Sequence, residues 1–172
     1  MPRPPRVFIS RTTNGLAATA DKCAVILKER GYDVIHQPDF TASWLDVKKM
    51  LQGHLIDCDA VICLVGPACG LMMREPIKGL KDARTEGRHF SYTQLEMLVA
   101  RDLPRPVFTY LCWGSELIAP LKPETVEQAK CQEDFITEFA KDGSNTRVPC
   151  DTWAKLEDDL RRIISGFAEL NG

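Results

Sequence analysis

Short apolar runs alternate along the chain with longer stretches of helical period, and this alternation defines the expected elements. Arg6 to Ser10 (RVFIS) is a β-branched and aromatic run after a proline-rich start, hence a first strand. Turn residues from Arg11 to Leu16 (RTTNGL) lead into a helix from about Ala17 to Arg30, with Ala20, Cys23, Ala24 and Leu27 on one face and Gly31 as its stop. Asp33 to Gln37 reads as a second strand closed by Pro38. Ser43 is placed to cap a helix over Trp44 to Ile56, where Trp44, Val47, Leu51 and Leu55 form one stripe. Ala60 to Gly66 (AVICLVG) is continuously apolar, as a central parallel strand buried on both faces requires. A long stretch without sustained period follows, Pro67 to Phe90. Ser91 and Gln94 then match a capping box that opens a helix to about Leu103. Pro106 to Trp113 is a fourth strand, followed by a helix near Thr125 to Lys141 and a short edge strand over Thr146 to Cys150. A final amphipathic helix spans Trp153 to Leu170, with Leu156, Leu160, Ile163, Ile164 and Phe167 facing inward.

Strands alternating with helices specify an α/β fold, an open parallel sheet with right-handed crossovers. The expected architecture is a flavodoxin-like sandwich: five parallel strands in the order 2-1-3-4-5, with helices on both faces. With no repeat or linker, residues 1–172 read as a single domain.

Composition narrows the function classes. An apolar fraction of 44%, a charged fraction of 27% and a net charge of −2 fit an ordinary globular domain without an electrostatic footprint for nucleic acid or an anionic membrane. No apolar run approaches the roughly 20 residues of a spanning helix, and the start is too short for a signal sequence, so the expected compartment is the cytoplasm. Seven scattered cysteines without a CxxC pair, and three scattered histidines, offer no zinc spacing, so no metal is expected.

In such sheets ligands bind beyond the carboxyl ends of the strands, where the strand order reverses. Between strands one and three that crevice receives Ser10, Arg11 and Thr12 from one side and Gly66 from the other. Small and hydroxylic residues there allow close approach of a ligand, and Arg11 suits a phosphate; ordinary turn chemistry is the competing reading. Glu96 is the only charge between Ser91 and Ala100, on a helix that starts at the ligand edge of the sheet, with Tyr92 one turn before it. A carboxylate among apolar neighbours at a cleft suits positive charge developing on a sugar, against the alternative of a solvated surface residue. Trp44, beside Phe40, reads either as a core anchor or as a platform for stacking a base. The basic residues between Arg74 and Arg88 alternate with acidic ones, as in a solvated loop; a lid over an anionic ligand is the alternative.

The segments VFISRTTNGL, DCDAVICLVG and SYTQLE, with PVFTYL after them, resemble bacterial TIR-like domains over essentially the whole chain. The resemblance is most specific at Tyr92 to Glu96, which looks like the catalytic helix of TIR-type NAD-cleaving enzymes. It implies that Glu96 is the catalytic carboxylate and that Ser10, Arg11 and Thr12 lie near the phosphates; Phe40, Trp44, Gly66 and Tyr92 are the further residues expected at the substrate from the pattern above. Asp39 to Ser43 would be the loop that controls access and self-association. The implied activity is cleavage of the ribose–nicotinamide bond of NAD by hydrolysis or cyclisation, with NAD as substrate and no cofactor. It further implies homo-oligomerisation through TIR–TIR contacts, a role in bacterial defence or signalling, and further domains C-terminal to this chain. The sequence departs from the family in lacking an acidic residue shortly after Ser10 and in its long 67–90 segment. Other readings are a non-catalytic TIR-type assembly module, a nucleoside 2-deoxyribosyltransferase-like enzyme and a nucleotide-binding sensor.

Overall fold

The computed structural model describes residues 3–36, 43–141, 147 and 149–170. Four strands form a parallel sheet: β1 (Arg6–Arg11), β2 (Asp33–His36), β3 (Ala60–Val65) and β4 (Val107–Leu111), in the order β2-β1-β3-β4. The helices are α1 (Thr13–Glu29), α2 (Trp44–Ile56), α3 (Tyr92–Arg101), α4 (Val126–Phe135, continued by a π-helical turn over Ile136–Ala140) and α5 (Trp153–Leu170).

The sheet divides two apolar cores by simple alternation. Phe8, Val61, Cys63 and Val65 face α2, α3 and the end of α4, while Val7, Ile9, Ala60, Ile62 and Leu64 face α1 and α5. β3 is buried at every position, as its unbroken apolar run requires, and β2 is a half-exposed edge. Each large core side chain contributes on the order of 1.5–3 kcal/mol by burial.

The α/β class and the parallel sheet agree with expectation, and the described residues form four of the five expected strands, in the order β2-β1-β3-β4. Where the fifth was expected, Cys150 makes a single parallel bridge to Cys112, and Arg147 N–H donates to the Thr109 carbonyl at 2.8 Å. Cys150 N–H donates to the Leu111 carbonyl at 2.7 Å. Pro149 has no N–H to add to a ladder, while Thr146 and Val148 lie outside the described residues. The helix bounds 44–56 and 153–170 agree with expectation, as does the Ser91–Gln94 capping box.

The long 67–90 segment is packed rather than open. Ile77 and Phe90 are buried, and Phe90 meets Phe139 edge-on at 5.7 Å. Its basic residues serve that packing: Arg88 forms a two-pronged pair with Glu138 at 2.7 and 3.1 Å, and Lys81 donates to the Asp102 carbonyl at 2.9 Å. No helix among the described residues is long and apolar enough to cross a membrane.

Candidate functional site

The parallel register brings the ends of β1 and β3 side by side, with Ser10 opposite Cys63 and Arg11 opposite Leu64. A cleft of about 300 Å³, counting the solvent at its mouth, opens here; Ser10, Thr12, Gly66, Cys69, Thr93 and Gln94 are among its lining residues. Thr12 follows the strand and caps α1, its hydroxyl accepting from Asn14 N–H at 3.3 Å.

Glu96 lies behind this lining, on the inner face of α3. The Ser91–Gln94 capping box fixes where that helix begins, and Glu96 follows in its second turn at 0% exposure. Ser10 Oγ, itself 1% exposed, donates to Glu96 Oε1 at 2.7 Å. Glu96 Oε2 is buried with no hydrogen-bond partner. Burial pushes the Glu96 carboxyl well above the ordinary range, opposed by the Ser10 hydrogen bond and by the Arg11 charge. Arg11 also carries a buried, unpartnered Nε. Arg11 is nevertheless half-buried and is not among the residues lining the cleft, so the structure does not bring it to the wall beside Ser10, contrary to expectation; the unpartnered oxygen of Glu96 is the polar group left available to a ligand there.

A second polar pair completes the wall. Gln94 Nε2 donates to Gln132 Oε1 at 2.8 Å, and Gln132 Nε2 donates to the Gly66 carbonyl at 2.7 Å. Gln94 also ties in two thiols, accepting from Cys131 at 3.4 Å and donating to Cys69 at 3.6 Å. A hydrogen bond from Cys69 pulls the Cys131 thiol down to about 7, and Arg88 adds to the effect.

The structure thus brings together Ser10, Thr12, Gly66 and, behind Ser10, Glu96. Trp44 is not brought to the cleft. At 5% exposure it sits in the core, with Nε1 donating to the Lys78 carbonyl at 3.1 Å, so it anchors the 67–90 segment. Tyr92 is half-buried against the same core, its N–H bonded to the Leu71 carbonyl at 3.1 Å. Phe40 lies outside the described residues, as does most of the expected access loop from Asp39 to Ser43. Sequence reasoning missed Gln132, Glu124 and the Cys69–Gly70 turn. The capping pattern singled out Gln94 for its backbone role alone, and nothing local marks its partner 38 residues away. Among the described residues no three His, Cys, Asp or Glu side chains cluster as a metal would need.

The family described as Domain of unknown function (DUF4062) matches residues 6–165. The chain belongs to that family. No curated protein and no solved structure matches it. The match spans every strand of this DUF4062 domain and both halves of the Ser10–Glu96 pair, so the cleft lies wholly within the family's boundaries.

Proposed function

We propose that this domain cleaves the ribose–nicotinamide bond of NAD, with Glu96 as the catalytic carboxylate. The observation that carries the reading is a fully buried glutamate with one unpartnered oxygen, held by Ser10 at the crevice between β1 and β3. The resemblance of Tyr92–Glu96 and of the first loop to TIR-type NAD-cleaving domains supports it, and so does the β2-β1-β3-β4 order. In the same reading the chain at Cys150, bridged to Cys112, belongs to a fifth strand of a flavodoxin-like sheet.

The chemistry asks little of the protein. The C1′–N bond breaks with its electron pair passing to the pyridinium nitrogen, so nicotinamide leaves neutral and needs no general acid. Positive charge is left on the ribose ring, and an ionised Glu96 stabilises it. Water then adds at C1′ and loses its proton, giving ADP-ribose; capture by the adenine ring instead gives a cyclic product. A cationic ligand beside Glu96 favours its ionised form, so binding of the positively charged nicotinamide ribose opposes the burial that pushes the carboxyl above its ordinary range.

Inside its mouth the cleft has room for little more than a water molecule, far below the roughly 300–1,000 Å³ usual for ligand pockets. A dinucleotide therefore requires it to open, and self-association is the proposed trigger. The test is NAD consumption by liquid chromatography for wild type and Glu96→Gln over a wide range of protein concentration. The expected result is a wild-type specific activity that rises with concentration and a loss of at least about 100-fold in the variant. NAD left intact at every concentration, or equal turnover by both proteins, refutes the assignment. Turnover of deoxynucleosides in place of NAD would move the reading to base exchange on a deoxyribosyl group.

A further inference from the structure

The segment joining β4 to α4 turns back as a strap past the carboxyl ends of β1 and β3, beside the cleft. Asn14 binds it on both sides, donating from Nδ2 to the Lys122 carbonyl at 3.1 Å and accepting at Oδ1 from Lys122 N–H at 2.8 Å. Ala119 N–H donates to the Gly15 carbonyl at 3.0 Å. Gly15, at φ 94°, makes room for this contact: a Cβ there would stand 2.6 Å from a Leu121 methyl. The strap ends by delivering Glu124 into the turn after β3.

There the Glu124 carboxylate is bound as a foreign anion would be. Its Oε1 accepts from Cys69 N–H and its Oε2 from Gly70 N–H, both at 2.8 Å. Gly70 sits at φ 85°, which turns consecutive amides toward one point, the backbone arrangement that binds phosphates and carboxylates. A Cβ on Gly70 would stand 3.1 Å from Thr12 Oγ1 and 3.8 Å from Thr93 Oγ1, so two hydroxyls flank the turn. Cys69, Thr12 and Thr93 line the same cleft as Ser10, behind which Glu96 keeps its unpartnered oxygen. Two part-buried amides beside a cleft need an acceptor when no ligand is present, and the strap supplies one.

We infer that the Cys69–Gly70 amide pair is the binding site for a phosphate group of a nucleotide, and that Glu124 occupies it as an internal substitute until the nucleotide displaces it. This deepens the reading of the cleft as a nucleotide site and rests on it. Displacing Glu124 frees one end of the strap, so phosphate binding and opening of the cleft are one event. The apparent affinity of the wild type is then lowered by the fraction of molecules in which the turn is open.

The test uses the whole chain, labelled with ¹⁵N, and two probes that need no catalysis, inorganic pyrophosphate and ADP-ribose. Pyrophosphate is expected to shift the amide resonances of Cys69 and Gly70. Glu124→Gln is expected to bind ADP-ribose about tenfold tighter than wild type, whereas Glu127→Gln, an exposed carboxylate nearby, changes the Kd by less than about twofold. Asn14→Ala loosens the strap at its other anchor and is expected to tighten binding in the same direction; it decides the matter should Glu124→Gln fail to fold. Unmoved Cys69 and Gly70 amides overturn the inference, as does unchanged affinity in the folded variants. If those shifts occur but NAD is never cleaved, the phosphate site stands and the proposed reaction falls. NAD cleavage with both amides unmoved has the opposite meaning.

Discussion

Two buried polar pairs tie helix α3 to its neighbours, and they are finished to different standards. Gln94 and Gln132 satisfy each other, and their remaining groups reach the Gly66 carbonyl, the Ser91 amide and two thiols. Ser10 and Glu96 make one good bond and leave a carboxylate oxygen bare, at full burial. The glutamine pair closes its hydrogen-bond accounting and so fixes geometry at little cost. An unpartnered buried carboxyl oxygen costs on the order of 1–3 kcal/mol or more. A fold that maintains such a group is spending stability on readiness for a ligand, and that contrast separates the wall of the cleft from its chemistry.

Mutations should split the two pairs in opposite directions. The largest effect expected is the loss of at least about 100-fold in NAD turnover in Glu96→Gln, read with folding confirmed by circular dichroism. Next, Gln132→Leu strips partners from Gln94 and from the Gly66 carbonyl, and should destabilise the domain by about 1–3 kcal/mol in urea unfolding. Unchanged stability there would make the glutamine pair dispensable and erase the contrast. Ser10→Ala removes the hydrogen bond that favours the ionised form of Glu96, so the carboxyl rises further. The pH at which kcat/KM reaches half its plateau should move upward, with a loss of about tenfold at neutral pH. A profile that stays in place would mean that Ser10 does not tune Glu96.

The stability of Glu96→Gln should move the other way from its activity. Burial raises the folded-state pKa, so as pH climbs past about 4.5 the unfolded chain ionises first and the folded wild type loses stability until Glu96 itself ionises. Glutamine is free of that penalty. Its Tm should equal that of wild type at pH 4 and exceed it by about 2–4 °C or more near pH 8. A lower Tm at pH 8 would show that the carboxyl is better partnered than its surroundings indicate. The smallest effect sharpens the glutamine side: Cys131, the one half-exposed thiol among six buried ones, should react with iodoacetamide first, with a midpoint near pH 7. Replacing Gln94 by Leu should slow that reaction by perturbing the thiol pair. Mass spectrometry of the labelled peptides reads both.

Much of the frame was legible because its signals are local. The AVICLVG run announced the central strand, Ser43 and the Ser91–Gln94 pair announced two helix starts, and the period of Trp153 to Leu170 announced α5. Trp44 shows where locality fails: an aromatic at a helix start looks alike whether it stacks on a ligand or on Lys78 and its neighbours. The 67–90 segment misled in the same way. Its lack of period reflects anchoring by single residues, Ile77, Leu80 and Phe90, rather than an open loop.

The sequence by itself determined the α/β alternation, the helix caps and Glu96 as the only charge between Ser91 and Ala100, because each of these depends on neighbours a few residues apart. The tertiary structure decided what those residues meet. Ser10 and Glu96 are separated by 86 positions, Gly70 and Glu124 by 54, Gln94 and Gln132 by 38. Each pair forms only when parallel crossovers bring the strand ends and helix starts to one edge of the sheet. Burial follows from the same closure, and burial is what turns an ordinary glutamate into one with a raised pKa and an oxygen awaiting a partner.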